Sequence, residues 1–250
     1  MKVIAHLSDI HFPKVNKKIV DDLVEDLTVL KPDVVAVSGD MTMRARRGQF
    51  KKAAAFLERL PKPQVLVPGN HDIPLFNIFR RFTCPLCTFR KYISGDMMPV
   101  YKDSEIMVFG LNTARYYIST GGKVSFYQVK EMERQICPVE EPFFKVLVTH
   151  HPFIPPPDDE GIKLVGKAER AIEVIAKCGV DLMLAGHLHH GYSGDVRRYY
   201  PESKNSIVVA QAGTATSTRL RGHHNGYNLI LADNRKIIIH NRAWNGEAFA

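Results

Sequence analysis

The stretch LAGHLHHGYSGD, residues 184–195, places His187, His189 and His190 within four positions, directly behind an apolar run. Four other places carry similar residue types. SDIH offers Asp9 and His11, SGD offers Asp40, PGNHD offers Asn70, His71 and Asp72, and THHP offers His150 and His151. Carboxylate oxygen and neutral imidazole nitrogen are donors for borderline divalent cations such as Zn, Mn or Fe. Asp9/His11 and His187/His189 are i, i+2 pairs, which extended backbone turns to one side. Gly39, Gly69 and Gly186 are expected to let the chain turn sharply into a site. Asp9, His11, Asp40, Asn70, His150, His187 and His189 are more donors than one ion uses. Two ions sharing a bridging carboxylate would use them, and a pair ~3.5–4 Å apart can clamp a phosphoryl group and activate a water.

Such a site needs elements that bring five short blocks together, and the apolar pattern supplies them. KVIAHLSD, DVVAVSGD and QVLVPGNHD read as strands. Between them Ile19, Val20, Leu23, Val24, Leu27 and Leu30, then Phe50, Ala53, Ala54, Leu57 and Leu60, recur at helical spacing. This strand–helix alternation implies a parallel sheet covered by helices. EIMVFGLNT and FKVLVTHHP continue it, with a capping box at Ser125 and Gln128 opening the helix between them. A helix over Ala168–Ala176 precedes VDLMLAGHLHH. SIVVAQAG, GYNLILAD and KIIIHNRAW then follow without helices, which predicts an antiparallel meander. All five donor blocks therefore fall at strand ends. Ligands of open α/β sheets bind outside the carboxyl ends of the strands.

A chain of 250 residues can bury one large core, and residues 1–250 are read as a single domain. No apolar run approaches the ~20 residues of a membrane span. An acidic residue as early as Asp9 argues against a secretory leader. Cys137 and Cys178 are expected as isolated thiols, and Cys84 and Cys87 as reduced structural ones, so the chain is placed in the cytoplasm. The formal charge of +8 favours an anionic partner: a phosphate ester, nucleic acid or a membrane surface.

The five blocks, in order, resemble the calcineurin-like metallophosphoesterase superfamily: Asp-x-His, Gly-Asp, Gly-Asn-His-Asp, His and Gly-His-x-His. The resemblance runs from Asp9 to His189 and implies an α/β/β/α sandwich of two mixed sheets flanked by helices. It further implies that Asp9, His11 and His189 hold one divalent metal ion and that Asn70, His150 and His187 hold the other, with Asp40 bridging. The pair could be Mn, Fe or Zn. Of the two neighbouring histidines, His150 sits at the strand end and two places before a proline, as the family's ligand does. His151 is then a rim or supporting residue. By the same resemblance His71 contacts the scissile phosphate and protonates the leaving oxygen. Asp72 either accepts a hydrogen bond from a ligand or from His71, or caps a helix. His190 is read as closing the turn.

The implied reaction is hydrolysis of a phosphodiester by a hydroxide shared between the ions. GDMTMRARRG departs from the Gly-Asp-x-Val-Asp-Arg-Gly of protein phosphatases, and the compact chain looks like the bacterial cyclic-nucleotide phosphodiesterase-like branch. A small-molecule diester such as a cyclic nucleotide is the expected substrate. A lipid or nucleotide-sugar diphosphate, then nucleic acid, then a non-catalytic scaffold are the alternatives. Arg219 and Arg221 either bind a second phosphate or base or are surface charges. Residues 73–99 are rich in aromatic and basic residues. They form a lid, touch an anionic membrane, or pack their aromatics into the core.

Overall fold

The computed structural model describes residues 1–118, 120–139, 143–203, 205–220, 222–233 and 236–250. Strands β1 (Lys2–Leu7), β2 (Val34–Ser38) and β3 (Gln64–Val67) are parallel and alternate with helices α1 (Lys17–Leu30) and α2 (Arg47–Leu57). The first sheet is completed by β10 (Gly226–Ala232), antiparallel to β1, and β11 (Ile237–Ala243), giving the order β11-β10-β1-β2-β3. The second sheet runs β4-β5-β6-β7-β9-β8. It contains β4 (Val100–Lys102), β5 (Ile106–Gly110), β6 (Phe144–Val148), β7 (Leu182–Ala185), β8 (Tyr192–Asp195) and β9 (Val208–Gln211). Helices α5 (Phe126–Ile136) and α6 (Ala168–Lys177) cover it, and two short helices, α3 (Ile78–Thr83) and α4 (Cys87–Tyr92), follow β3.

Strand alternation sorts the core into layers. Ile4, Val34, Ala36, Val65 and Val67 of the first sheet meet Val108, Val146, Val148 and Leu184 of the second in an apolar interlayer. Ala5, Leu7, Val35 and Val37 turn the other way, onto Leu23 and Leu27 of α1 and Phe50 and Phe56 of α2. Phe109, Leu147 and Met183 likewise pack on Met132, Ala171 and Ile175 of α5 and α6. The result is the expected α/β/β/α sandwich. Local signals set the helix ends. Asn16 caps α1 by accepting from the Lys18 amide, and Ser125 caps α5 in the expected box with Gln128.

Three expectations need correction. The C-terminal strands are not one meander: β9 lies parallel to β7 in the second sheet, whereas β10 and β11 close the first. Strand patterning gives no information on which sheet a strand joins. The cysteines are paired as Cys84–Cys87 and Cys137–Cys178. The second pair forms because α5 and α6 pack side by side and end at these two residues. The cysteine count thus carries no argument for a reducing compartment. Finally, the aromatics of residues 73–99 divide. Phe89 of α4 is fully buried against Phe50, but Phe76, Phe79 and Phe82 are 73%, 77% and 59% exposed. Among the described residues no helix is long and apolar enough to cross a membrane.

Candidate metal centre

The donor-bearing residues lie just beyond the carboxyl ends of β1, β2, β3, β6 and β7. They do not converge through extended backbone. Asp9 (φ 51°), His11 (59°), Asp40 (52°), His187 (78°) and His189 (67°) all sit in the left-handed region. Each such residue costs roughly 1–2 kcal/mol, so the surrounding packing must impose the conformation. The i, i+2 pairing therefore works by tight left-handed turns rather than by strand alternation. Of the three glycines, Gly39 turns the chain at φ 94°. Gly186 is required by close approach, since a Cβ there would lie 1.7 Å from Ser8 Oγ.

Asp9 Oδ2 accepts from the Ser8 hydroxyl at 2.6 Å and the His187 amide at 2.8 Å. Its other oxygen, Oδ1, has no hydrogen-bond partner although it is buried. It lies 3.4 Å from His11 Nε2 and 3.3 Å from His189 Nε2, and the two imidazole nitrogens are 3.1 Å apart. Burial opposes ionisation of Asp9, yet the adjacent His11 and His189 imidazoles hold the carboxyl below the usual range. His189 Nδ1 lies 3.0 Å from the Arg219 carbonyl, which accepts its proton and leaves Nε2 with a lone pair. Asp9 Oδ1 and the two Nε2 atoms thus form a small triangle. Donors around one ion at 2.0–2.2 Å are about 2.8–3.6 Å apart, from octahedral to tetrahedral geometry, so the triangle has the dimensions of one face of a coordination shell.

A second group adjoins it. His150 Nε2 lies 3.2 Å from Asn70 Oδ1 and 3.5 Å from Asp40 Oδ1, while its Nδ1 donates to the Ser38 carbonyl at 2.6 Å. Burial works against a charged His150, but the Asp40 carboxylate pushes it up to about 9. The His187 ring packs 5.2 Å from that of His150. Asp40 stands between the groups: its Oδ1 faces His150, and its Oδ2 lies 3.7 Å from His11 Nε2. Burial opposes its ionisation, and the adjacent histidines, His150 first, keep it ionised well below the ordinary carboxylate range.

His151, read as a rim or supporting residue, is fully buried. One of its nitrogens falls within 4.8 Å of donor atoms of both His150 and His187. Its Nδ1 is 2.8 Å from Thr113 Oγ1 and its Nε2 has no hydrogen-bond partner. His71 is half-buried, and its Nδ1 donates to the Met43 carbonyl at 3.0 Å. Burial lowers its basicity, partly offset by Asp40. Of the two readings of Asp72, the capping one describes its contacts: it accepts from the Gly69 amide that opens the short turn Asn70–Asp72. It also accepts from the backbone amides of Met41 and Thr42 and from the Thr42 hydroxyl, so it clasps the Asp40 loop to the Asn70 turn. Burial and the Asp40 charge raise it to about 6. His190 turns aside and stacks on His223 at 5.1 Å. The Arg219 guanidinium reaches Met43 Sδ at 3.9 Å; Arg221 lies outside the described residues.

The chemistry of this donor set fits divalent cations: buried carboxylates and imidazoles converge within a few ångströms, and Asp9 Oδ1 is left without a hydrogen-bond partner among the described residues. Sequence reasoning missed the carbonyls of Ser38, Met43 and Arg219, which fix the imidazoles. Their residue types carry no signal of that role.

Comparison with known proteins gives a consistent picture. The profile of the calcineurin-like phosphoesterase family matches residues 2–191. A glycerophosphodiester phosphodiesterase, GpdQ of Enterobacter lignolyticus, is 36% identical over 96 residues. That match spans 34% of this chain and 34% of the relative. In structure, a purple acid phosphatase from yellow lupin superposes with a TM-score of 0.72 at 11% identity, covering 100% of this chain and 52% of that one. A dimetal phosphatase from Danio rerio superposes with a TM-score of 0.69 at 14% identity, covering 97% and 96%.

Proposed function

The chain belongs to the calcineurin-like phosphoesterase family, and from that premise we propose that it is a phosphodiesterase acting on a small-molecule diester at the Asp/His centre. It is a metal-dependent phosphoric ester hydrolase whose centre takes two divalent cations. In this reading Asp9, His11 and His189 hold one cation, and Asn70, His150 and His187 the other. The observation that carries it is the position of Asp40, with one oxygen 3.5 Å from His150 Nε2 and the other 3.7 Å from His11 Nε2. Only a carboxylate so placed can serve both groups. The diester preference draws support from the phosphodiesterase relative.

What the cations supply when bound is Lewis-acid polarisation of the phosphoryl oxygens and an activated water. The protein's own residues do the rest. The Met43 carbonyl fixes the Nδ1 proton of His71, so Nε2 is the atom free to act on substrate. Burial disfavours a charged His71, and Asp40 favours it. An anionic diester adds to the Asp40 effect, so that Nε2 can hand a proton to the departing alkoxide. Arg219 supplies positive charge on the Met43 side of the site. Asp72 keeps the Asp40 loop in register and touches no substrate.

The test is to strip the protein of metal and restore Mn²⁺. Hydrolysis of bis(p-nitrophenyl) phosphate is then compared with that of p-nitrophenyl phosphate, with Asp40→Ala as control. Mn²⁺-dependent turnover favouring the diester, and lost in the variant, is the expected result. Preference for the monoester would overturn the substrate class. Turnover near wild type in Asp40→Ala would overturn the shared-carboxylate assignment.

A further inference from the structure

Leu75, Phe76, Ile78, Phe79 and Phe82 are exposed large apolar side chains within eight consecutive residues on and before α3. Phe82 continues onto Tyr116, ring to ring at 5.3 Å, and Tyr116 onto Tyr117 at 5.1 Å. Among the described residues nothing buries this ridge. A contiguous apolar patch of this kind on a soluble surface marks an interaction site.

Its surroundings identify the partner. No Asp or Glu occurs in residues 41–57 or 73–95, which carry Arg44, Arg46, Arg47, Lys51 and Lys52 and then Arg80, Arg81, Arg90 and Lys91. Among the described residues none of these cations is in an ion pair. The two acid-free stretches meet in a cleft of about 370 Å³ lined by Arg44, Arg46, Arg47 and Arg80 together with Phe76 and Asn77. The ridge between the cations is aliphatic as well as aromatic, with Leu75 and Ile78 exposed beside Phe76, Phe79 and Phe82. A nucleic acid asks for the reverse, cations along the track and aromatics as stacking platforms between them. An apolar crest with a basic flank is the pattern of a segment that sinks into the acyl boundary of an anionic bilayer.

We propose that residues 75–82 and the adjoining arginine cleft form a docking surface for an anionic phospholipid bilayer. Ile78, Phe79 and Phe82 enter the interface, and the cleft receives headgroup phosphate. Arg44 links this surface to the metal centre. Its guanidinium lies 5.5 Å from the Phe76 ring, and its Nη1 lies 3.4 Å from His71 Nδ1. Docking there brings the centre to the lipid surface.

The experiment is co-sedimentation of the full, metal-loaded chain with vesicles, one set of phosphatidylglycerol and phosphatidylcholine, the other of phosphatidylcholine alone. Binding to the first set only, weakened by salt, is expected. Phe79→Ser/Phe82→Ser and Arg46→Glu/Arg80→Glu should each weaken it by about tenfold or more. Unchanged circular dichroism melts and unchanged hydrolysis of a water-soluble diester are expected of both variants. The proposal is overturned by absence of binding to anionic vesicles or by equal binding of the variants. It is also overturned if the ridge instead mediates a dimer in sedimentation equilibrium that Phe79→Ser/Phe82→Ser abolishes. Vesicle binding is read without turnover, so its failure and that of the phosphodiesterase assignment are distinguishable.

Discussion

His71 has one nitrogen committed and one to spend. With Nδ1 bonded to the Met43 carbonyl, loss of the ring removes a proton donor but little binding surface. His71→Ala should therefore lower kcat for a diester by about 10²–10⁴ while KM moves only a few-fold, measured by steady-state kinetics on the Mn²⁺-restored enzyme. A rise in KM with kcat preserved would assign His71 to substrate binding instead. At this scale the sequence was most legible, because Asp, Asn and His are rare enough at strand ends to announce donors. What it hid were partners such as the carbonyls of Ser38 and Arg219, since every residue has a carbonyl. His151 was hidden for a different reason: of two adjacent histidines at a strand end, only the turn geometry decides which atoms enter the cluster.

At the scale of elements, period and order were readable, but sheet membership and backbone hand were not. In residues 73–99 the sequence marks Phe79 and Phe89 alike as apolar. Only the α2–α4 packing buries Phe89 and leaves Phe79 in solvent. The two sheets are also tied at the end of β1 remote from the donors. Lys2 donates to Asp103 at 2.8 Å in the β4–β5 turn. Asp103 also accepts from the amides of Glu105 and Ile106 and from the Tyr101 hydroxyl. Partial burial opposes its ionisation, but the Lys2 bond and these donors hold it at about 2. A depressed carboxyl stabilises the fold above its unfolded value of about 4 and ceases to do so as pH falls through its folded value. Asp103→Asn should cost about 1 kcal/mol at neutral pH, and the difference from wild type should shrink as pH falls from about 4 toward 2. Urea unfolding across that range measures it. A difference that stays constant would show that Asp103 acts through packing rather than charge.

For the molecule as a whole, cations that bind only the folded state must stabilise it. At a free concentration a hundredfold above Kd the gain is about 2.7 kcal/mol per site, or about 5–10 °C per site and roughly twice that for two in a chain of this size. Calorimetry should show a fall of that order in Tm when a chelator is added, and a much smaller one for Asp40→Ala. An unchanged wild-type Tm would count against cation binding in the folded state.

Asp9, His11, Asp40 and Asn70 follow strands of the first sheet, whereas His150 and His187 follow strands of the second, and His189 closes on Asp9 from across the divide. The centre thus works as a coincidence detector. Neither half of the chain carries it, and a slip of one sheet over the other by a single residue would part donors now 3–4 Å apart. Catalysis then reports that both sheets have met in register, and a misassembled molecule is silent rather than weakly or wrongly active.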